Sequence, residues 1–117
     1  MTDRSRRREL RDQYKETHTE AGVYRIVNKK TGKALLAASP NLPSIRNKIA
    51  FARSTGTAGV FDHRIRADVD HYGVDAFELE IVELLDITPE MTREDIQRDL
   101  AALEAIVREQ QNPDLLY

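Results

Sequence analysis

The chain is 117 residues long, which corresponds to one ordinary domain with a single core. Apolar residues make up 40% of it and charged residues 32%, as is typical of a soluble globular protein. The absence of cysteine excludes disulfides, thiolate zinc sites and a cysteine nucleophile. No apolar run is long enough to span a membrane, and the charged N-terminus lacks the apolar stretch of a signal peptide. We therefore expect a cytoplasmic protein with no membrane partner.

Charge is distributed unevenly along the chain, although the net charge is only −2. Residues 23–66, the basic segment, carry nine Lys and Arg but a single Asp, for a net charge of +8. Residues 67–117, the acidic segment, carry three basic and fourteen acidic residues, for a net charge of −11. The basic segment could offer a surface to phosphates, or the two segments could simply pair with each other in the fold. The sequence leaves both interpretations open.

The chain begins with a charged stretch and continues into a predicted hairpin. Residues 1–20 are dense in charge and predict an arm or a short helix ahead of a domain that spans residues 21–117. Residues 23–27 are β-branched and aromatic, which favours a strand. Residues 28–32 end in glycine and predict a turn. The apolar residues 34–38 predict the partner strand, buried on both of its faces.

Two amphipathic helices are predicted after the hairpin. The first begins at the N-cap Asn41 and has apolar residues at helical spacing: Leu42, Ile45, Ile49 and Ala52. The second ends at Gly73 and repeats that spacing: Phe61, Ile65, Val69 and Tyr72. Each helix therefore has one face that can pack on a sheet.

A third strand and a last helix complete the predicted fold. Apolar residues alternate with glutamates over residues 77–81, which predicts a strand with one face in solvent. Thr92 and Asp95 approximate a capping box, and Pro113 stops the helix that follows. The element order is then β-β-α-α-β-α, with an antiparallel first pair. We predict an α+β fold in which helices surround a small three-stranded antiparallel sheet.

Several short motifs occur in a recognisable order. Residues 22–24 read Gly-Val-Tyr at the start of the first strand, and residues 73–78 lead into the third strand. Glu104 lies in the last helix, and Asn112 follows that helix. In this order and spacing, over residues 22–117, the sequence resembles the GIY-YIG nuclease domain. It looks closest to a bacterial branch of that superfamily in which the second motif is similarly changed.

The resemblance implies cleavage of DNA phosphodiester bonds with one divalent metal ion, Mg²⁺ or Mn²⁺. In such chemistry the metal neutralises developing charge, a base activates water and an arginine holds a phosphate oxygen. By resemblance, Tyr24 is the first catalytic tyrosine, Glu104 the metal ligand and Asn112 a residue near the end of the domain. Arg46 is the candidate arginine, one residue beyond the strict family position. His63 is a candidate base if it lines the cleft.

The second motif has Ala37 in place of its glycine, and three residues depart from the family pattern at positions that carry chemistry. Leu35 stands where the second motif has a tyrosine, Ile45 stands at the position of the arginine, and Ile49 stands near that of a histidine. Leucine can neither donate a proton nor hold a water molecule. The departures therefore predict weak or altered cleavage, or none.

Basic residues of the middle segment are the candidates for phosphate contacts. They are Lys48, Arg53, Arg64 and Arg66. Each candidate also has an ordinary interpretation: Arg64 can pair with Asp68 along a helix, Tyr24 can cover a sheet surface, and Glu104 can be a solvated helix residue. Two functions follow, namely a DNA-binding domain with or without cleavage, and an inactive module for protein interaction or homodimer formation.

Overall fold

The structure, a computed structural model, describes residues 20–59 and 61–117. Three strands and three helices occur in this part of the chain: β1 Ala21–Asn28, β2 Ala34–Ser39, α1 Leu42–Thr55, α2 Arg66–Tyr72, β3 Phe77–Leu85 and α3 Arg93–Glu109. Short 3₁₀ turns cover Val74–Ala76 and Pro113–Leu115. The predicted α+β class and three-stranded antiparallel sheet are confirmed. The predicted N-terminal arm lies outside the described residues, except for Glu20.

The sheet has the order β2-β1-β3, so that β1 is its central strand. The hairpin turn between β1 and β2 depends on Gly32, which has a φ of +79° and donates its N–H to the carbonyl oxygen of Asn28 at 2.8 Å. The pairing of β1 with β3 shifts at one point, where Val23 pairs with Glu83 but Tyr24 pairs with Ile81. An extra residue on β3 therefore makes a bulge beside Tyr24.

Both faces of the sheet are covered, as the apolar run of β2 predicts. Leu35 packs with Tyr24 and Ile26 on the face that α1 and α2 cover. Leu36 packs with Val23 of β1 and with α3 on the opposite face. Successive side chains of a strand point to opposite faces, so two adjacent leucines contribute to two different cores.

The two ends of α1 have local causes in the sequence. The Asn41 side chain accepts a hydrogen bond from the N–H of Ser44 at 3.1 Å, which caps the first turn as predicted. Gly56 adopts the left-handed conformation with a φ of +71° and donates its N–H to the carbonyl of Ala52 at 2.7 Å. These caps fix which face of α1 meets the sheet.

The second helix is shorter than its apolar spacing predicts. Phe61 and Ile65 are buried, yet both precede α2, which begins at Arg66. The Asp62 side chain accepts the backbone N–H of Arg64 at 2.9 Å. This local turn competes with helical hydrogen bonds and delays the start of the helix. The spacing therefore identified core residues correctly but placed the start of the helix wrongly.

The last helix begins with the predicted capping box. The Thr92 hydroxyl accepts the N–H of Asp95 at 3.1 Å, and the Asp95 carboxylate accepts the N–H of Thr92 at 3.0 Å. Leu100 and Val107 are buried, and Val107 contributes to the core beneath α3. Among the described residues, no helix combines the length and the apolar character needed to cross a bilayer.

The last residues return to the sheet and tie three elements together. Leu116 forms a parallel bridge with Ala34, and the N–H of Tyr117 donates to the carbonyl of Ala34 at 3.0 Å. The Tyr117 hydroxyl donates to the Asp68 carboxylate of α2 at 2.6 Å and accepts from the Asn28 amide at 3.1 Å. Burial, followed by the bond to Asp68, raises the pKa of Tyr117. The residue therefore joins α2 to the hairpin.

Candidate functional site

A pocket of about 240 Å³ opens between β1, β2, α1 and the loop that precedes α2. Its apolar walls are formed by Ile26, Leu35, Ile45, Ile49 and Phe61. Of the residues that the structure describes, three polar side chains also line it: Tyr24, Lys48 and Asp62. The pocket thus combines apolar walls with one phenol, one ammonium and one carboxylate.

Tyr24 reaches the pocket because alternate residues of β1 face α1. The residue is only 8% exposed, and it packs in the core with Ile26. Its phenol makes no hydrogen bond to another residue within the described ranges. Burial is the main influence that raises the pKa of Tyr24; Asp62 and Glu104 raise it further, while Arg64 lowers it. The phenol therefore remains protonated at neutral pH and can donate a hydrogen bond.

Asp62 and Arg64 form an ion pair at the rim of the pocket. Nε of Arg64 lies 3.0 Å from Oδ1 of Asp62, and Nη2 lies 3.2 Å from Oδ2. Hydrogen bonds from the side chain and the backbone of Arg64 lower the pKa of Asp62 to about 2. The carboxylate is therefore ionised at neutral pH. It forms an ion pair with Arg64, which the sequence predicts to bind phosphate.

Glu104 acts on the same groups without lining the pocket. Its charge contributes to the raised pKa of Tyr24 and to that of Arg64. Its carboxylate also lies 3.4 Å from the Arg108 guanidinium, one turn further along α3. Tyr24, Arg64 and Glu104 thus influence each other electrostatically, but this arginine is not Arg46, the one that the resemblance implies.

The donor set around Glu104 does not fit a metal ion held by the protein alone. No cluster of three or more His, Asp or Glu side chains suited to a metal occurs in residues 20–59 and 61–117. Glu104 offers a single carboxylate, and Arg108 competes for it. Mg²⁺ prefers several oxygen ligands at near-octahedral geometry, which one engaged carboxylate does not supply.

Two side chains predicted to be catalytic do not line this pocket. Arg46 lines a second groove of about 290 Å³ between α1 and β3, together with Arg53 and Glu78. It follows Ile45, and a helix turns by about 100° per residue, so the two side chains project in different directions. His63 has a side chain that is 82% exposed, and its Nδ1 lies 3.5 Å from Asp62. Neither Arg46 nor His63 lines the pocket with Tyr24.

Two of the predicted phosphate-binding arginines donate to backbone carbonyl oxygens. Arg53 donates to the carbonyl oxygen of Phe77 at 2.8 Å, which joins α1 to β3. Arg66 donates to the carbonyl of Phe61 at 2.8 Å and to that of Gly59 at 3.3 Å. These bonds satisfy backbone groups of the loop and of the sheet, so both arginines hold the fold together.

Lys48 differs from the predicted arginines because it lines the pocket. It lies one turn after Ile45 on α1, and it forms no ion pair with any residue that the structure describes. Residues three apart on a helix share a face, so Ile45 and Lys48 enter the same pocket. Lys48 is therefore the predicted phosphate-binding residue that the pocket contains.

Asn112 has a local structural role. Its side chain accepts the N–H of Asp114 at 3.0 Å and caps the 3₁₀ turn Pro113–Leu115. Neither residue lines the pocket. The geometry of this turn is sufficient to explain why an asparagine precedes Pro113.

Phe61 and Asp62 line the pocket, although the sequence predicts neither as a site residue. The apolar spacing indicates Phe61 only as a core residue of the second helix. Asp62 carried an available signal, because it is the single acidic residue of the basic segment. An isolated acid among nine basic residues indicates a specific ion pair, and here that pair is with Arg64.

No family model, curated protein or solved structure matches the chain. At the level that the structure shows, the protein is an α+β domain with a three-stranded antiparallel sheet and three described helices.

Proposed function

We propose that the chain is a GIY-YIG-type domain that binds nucleic acid through the Tyr24 pocket and cleaves it weakly or not at all. The observation that carries this proposal is the composition of the pocket. The Tyr24 phenol and the Lys48 ammonium line the pocket. The pocket is also lined by the three apolar residues that replace polar residues of the family pattern: Leu35, Ile45 and Ile49. The groups that can hold a phosphate remain, and the groups that would drive its hydrolysis are replaced.

The distribution of ion pairs supports binding to an anion. Within the described residues, a single salt bridge joins the basic segment to the acidic one, between Arg25 and Glu80 at 2.8 Å. The remaining described salt bridges stay within their own segment. Salt bridges to the acidic segment therefore leave most of the basic side chains of the basic segment unpaired with it. Lys48 keeps its charge available for a phosphate oxygen.

The same residues argue against efficient hydrolysis. Cleavage of a phosphodiester requires a base and preorganised stabilisation of the charge that develops in the transition state. Leu35 and Ile49 supply neither. The raised pKa of Tyr24 disfavours the phenolate form that could act as a base. Glu104 is engaged by Arg108, so the single carboxylate offers little to a metal.

Fluorescence anisotropy with the full chain and labelled DNA tests the binding proposal. We expect the affinity to fall as salt rises, because each phosphate contact adds about −0.9 to the slope of log K against log salt. Lys48→Ala should weaken binding and reduce that slope by about one contact. Arg46→Ala is the matched control, since it removes a charge from the same helix outside the pocket, and it should have the smaller effect.

Two outcomes would refute the binding proposal. Equal effects of Lys48→Ala and Arg46→Ala would separate nucleic-acid binding from the pocket. Absent or salt-independent binding would leave the alternative, a module for protein interaction or homodimer formation. Sedimentation at high protein concentration would then detect a second copy.

Metal-dependent cleavage is the second candidate function. The electrostatic coupling of Tyr24 and Arg64 with Glu104 favours it. A plasmid-nicking assay with concentrated protein and Mg²⁺ or Mn²⁺ tests it. Nicking that requires the metal, disappears in Glu104→Ala and persists in Glu109→Ala would establish cleavage. The absence of nicking with either metal would support binding without turnover.

A further inference from the structure

We infer that the pocket holds one unstacked nucleobase of a single strand, next to the phosphate that Lys48 contacts. This inference rests on the proposed function and deepens it, because it names the substrate class. The expected ligand is single-stranded or locally unpaired nucleic acid, and an intact duplex is the weaker ligand.

The size and the walls of the pocket suit a planar ring. Its volume of about 240 Å³ lies below the range of about 300–1,000 Å³ that is typical for drug-sized ligands. Branched aliphatic side chains form most of its walls, and the ring of Phe61 completes them. Proteins that take a base out of the stack hold it in such a close-fitting pocket, between apolar or aromatic side chains.

The polar groups of the pocket match the edge of a base. The Tyr24 phenol has no hydrogen-bond partner within residues 20–59 and 61–117, although the residue is only 8% exposed. It can donate to a ring nitrogen or to a carbonyl oxygen. The Asp62 carboxylate has acceptor capacity beyond its bonds to Arg64 and can receive an amino group. One donor and one acceptor therefore lie on the same pocket.

Charge distinguishes a nucleotide from other ligands of this size. A free phosphate inside the pocket would pair with Lys48 but would lie beside the ionised Asp62 carboxylate, which repels it. An uncharged apolar ligand would contact the walls but would leave the exposed Lys48 ammonium to water. A base with its attached phosphate satisfies both parts of the pocket. In a duplex the base stays stacked, so only the phosphate contact would remain.

Three labelled ligands of the same length test the inference with the full-length wild-type protein. They are a single-stranded DNA, the corresponding duplex, and a single strand whose nucleotides are all abasic. The abasic strand keeps every phosphate and lacks the bases that would enter the pocket. We expect the intact strand to bind about fivefold to 160-fold more tightly than the abasic strand, the range that corresponds to one base stacked on an aromatic side chain.

A substitution that fills the pocket makes the test specific. Ile45→Phe adds volume to the wall next to Lys48 and should abolish the difference between intact and abasic strands, while salt-dependent binding remains. Ala50→Phe is the matched control, because Ala50 is exposed on the same helix and lines the second groove. It should preserve the difference. Circular dichroism reports whether each variant folds, and the wild-type comparison stands alone if Ile45→Phe does not fold.

The outcomes separate this inference from the proposed function. Equal, salt-dependent binding of intact and abasic strands would overturn the base pocket and leave phosphate binding intact. Tighter binding of the duplex than of the single strand would also overturn it. No binding of any of the three ligands would overturn both proposals.

Discussion

The two faces of the sheet use the same hairpin for different purposes. On one face, Leu35 shares the walls of an open pocket with Tyr24 and with residues of α1. On the other face, Leu36 is packed by Val23 and by Val107 of α3. Among residues 20–59 and 61–117, no side chain that lines the pocket belongs to the core beneath α3.

Adjacent residues of one strand can therefore serve different purposes, one lining a binding pocket and the other stabilising the fold. The face beneath α3 contains apolar contacts that hold the helix. The face beneath α1 contains a larger core, but that core leaves a hollow in which a phenol, an ammonium and a carboxylate meet. Substitutions should therefore separate folding from binding according to the face that they alter.

The largest expected effect comes from truncating the two leucines. Leu36→Ala and Leu35→Ala should each lower the free energy of unfolding by about 2–5 kcal/mol, because both side chains are 2% exposed. Urea denaturation measures this loss. Of the two, Leu35→Ala should also weaken binding of single-stranded DNA, since it alone alters the pocket. Ile106→Ala, at a position that is 54% exposed, is the control and should change stability by less than about 0.5 kcal/mol.

An equal effect of Leu35→Ala and Leu36→Ala on DNA binding, measured at the same folded fraction, would contradict the division between the two faces.

A smaller effect is expected at Gly22, where β1 and β3 approach each other. A Cβ atom at this position would collide with the backbone carbonyl oxygen of Glu83. Gly22→Ala should therefore cost about 1–3 kcal/mol, the range for overpacking in a tight site. Gly59→Ala is the matched control, because a Cβ there has no neighbour within 4 Å. Thermal unfolding of both variants measures the difference, and equal melting temperatures would refute the steric explanation.

The smallest expected effect is the pH dependence that Asp62 contributes. Its ion pair with Arg64 lowers its pKa from 3.8 to about 2, so the ionised carboxylate favours the folded state. This contribution is present above about pH 4 and is lost as the pH falls towards 2. Asp62→Asn should flatten the stability profile in that window and leave the slope unchanged above pH 5. An NMR titration that places the Asp62 pKa near 3.8 would rule out the effect.

Much of the fold could be predicted from local patterns. The caps at Asn41 and Thr92 and the apolar run of β2 each depend on neighbouring residues, so the sequence contains the necessary information. The delayed start of α2 could not be predicted from spacing alone, because the Asp62 side chain competes with the helix. The central position of β1 depends on long-range pairing, which no local pattern specifies.

The site could be predicted less completely than the fold. Tyr24 and Lys48 line the pocket, but Arg53 and Arg66 donate to backbone carbonyls instead. A sequence does not distinguish an arginine that satisfies a distant carbonyl from one that faces solvent. That distinction depends on which loop packs beside the side chain. It can be recognised only once the chain is folded.

The contacts of Tyr117 determine when folding can be completed during synthesis. Its hydroxyl bonds to Asn28, which is 89 residues earlier, and to Asp68, which is 49 residues earlier. A chain emerging from a ribosome can pair β1 with β2 early, since the two strands are adjacent in sequence. The tie between α2 and the hairpin must wait until residue 117 has left the exit tunnel. The nascent domain therefore completes its native contacts only after that residue has emerged.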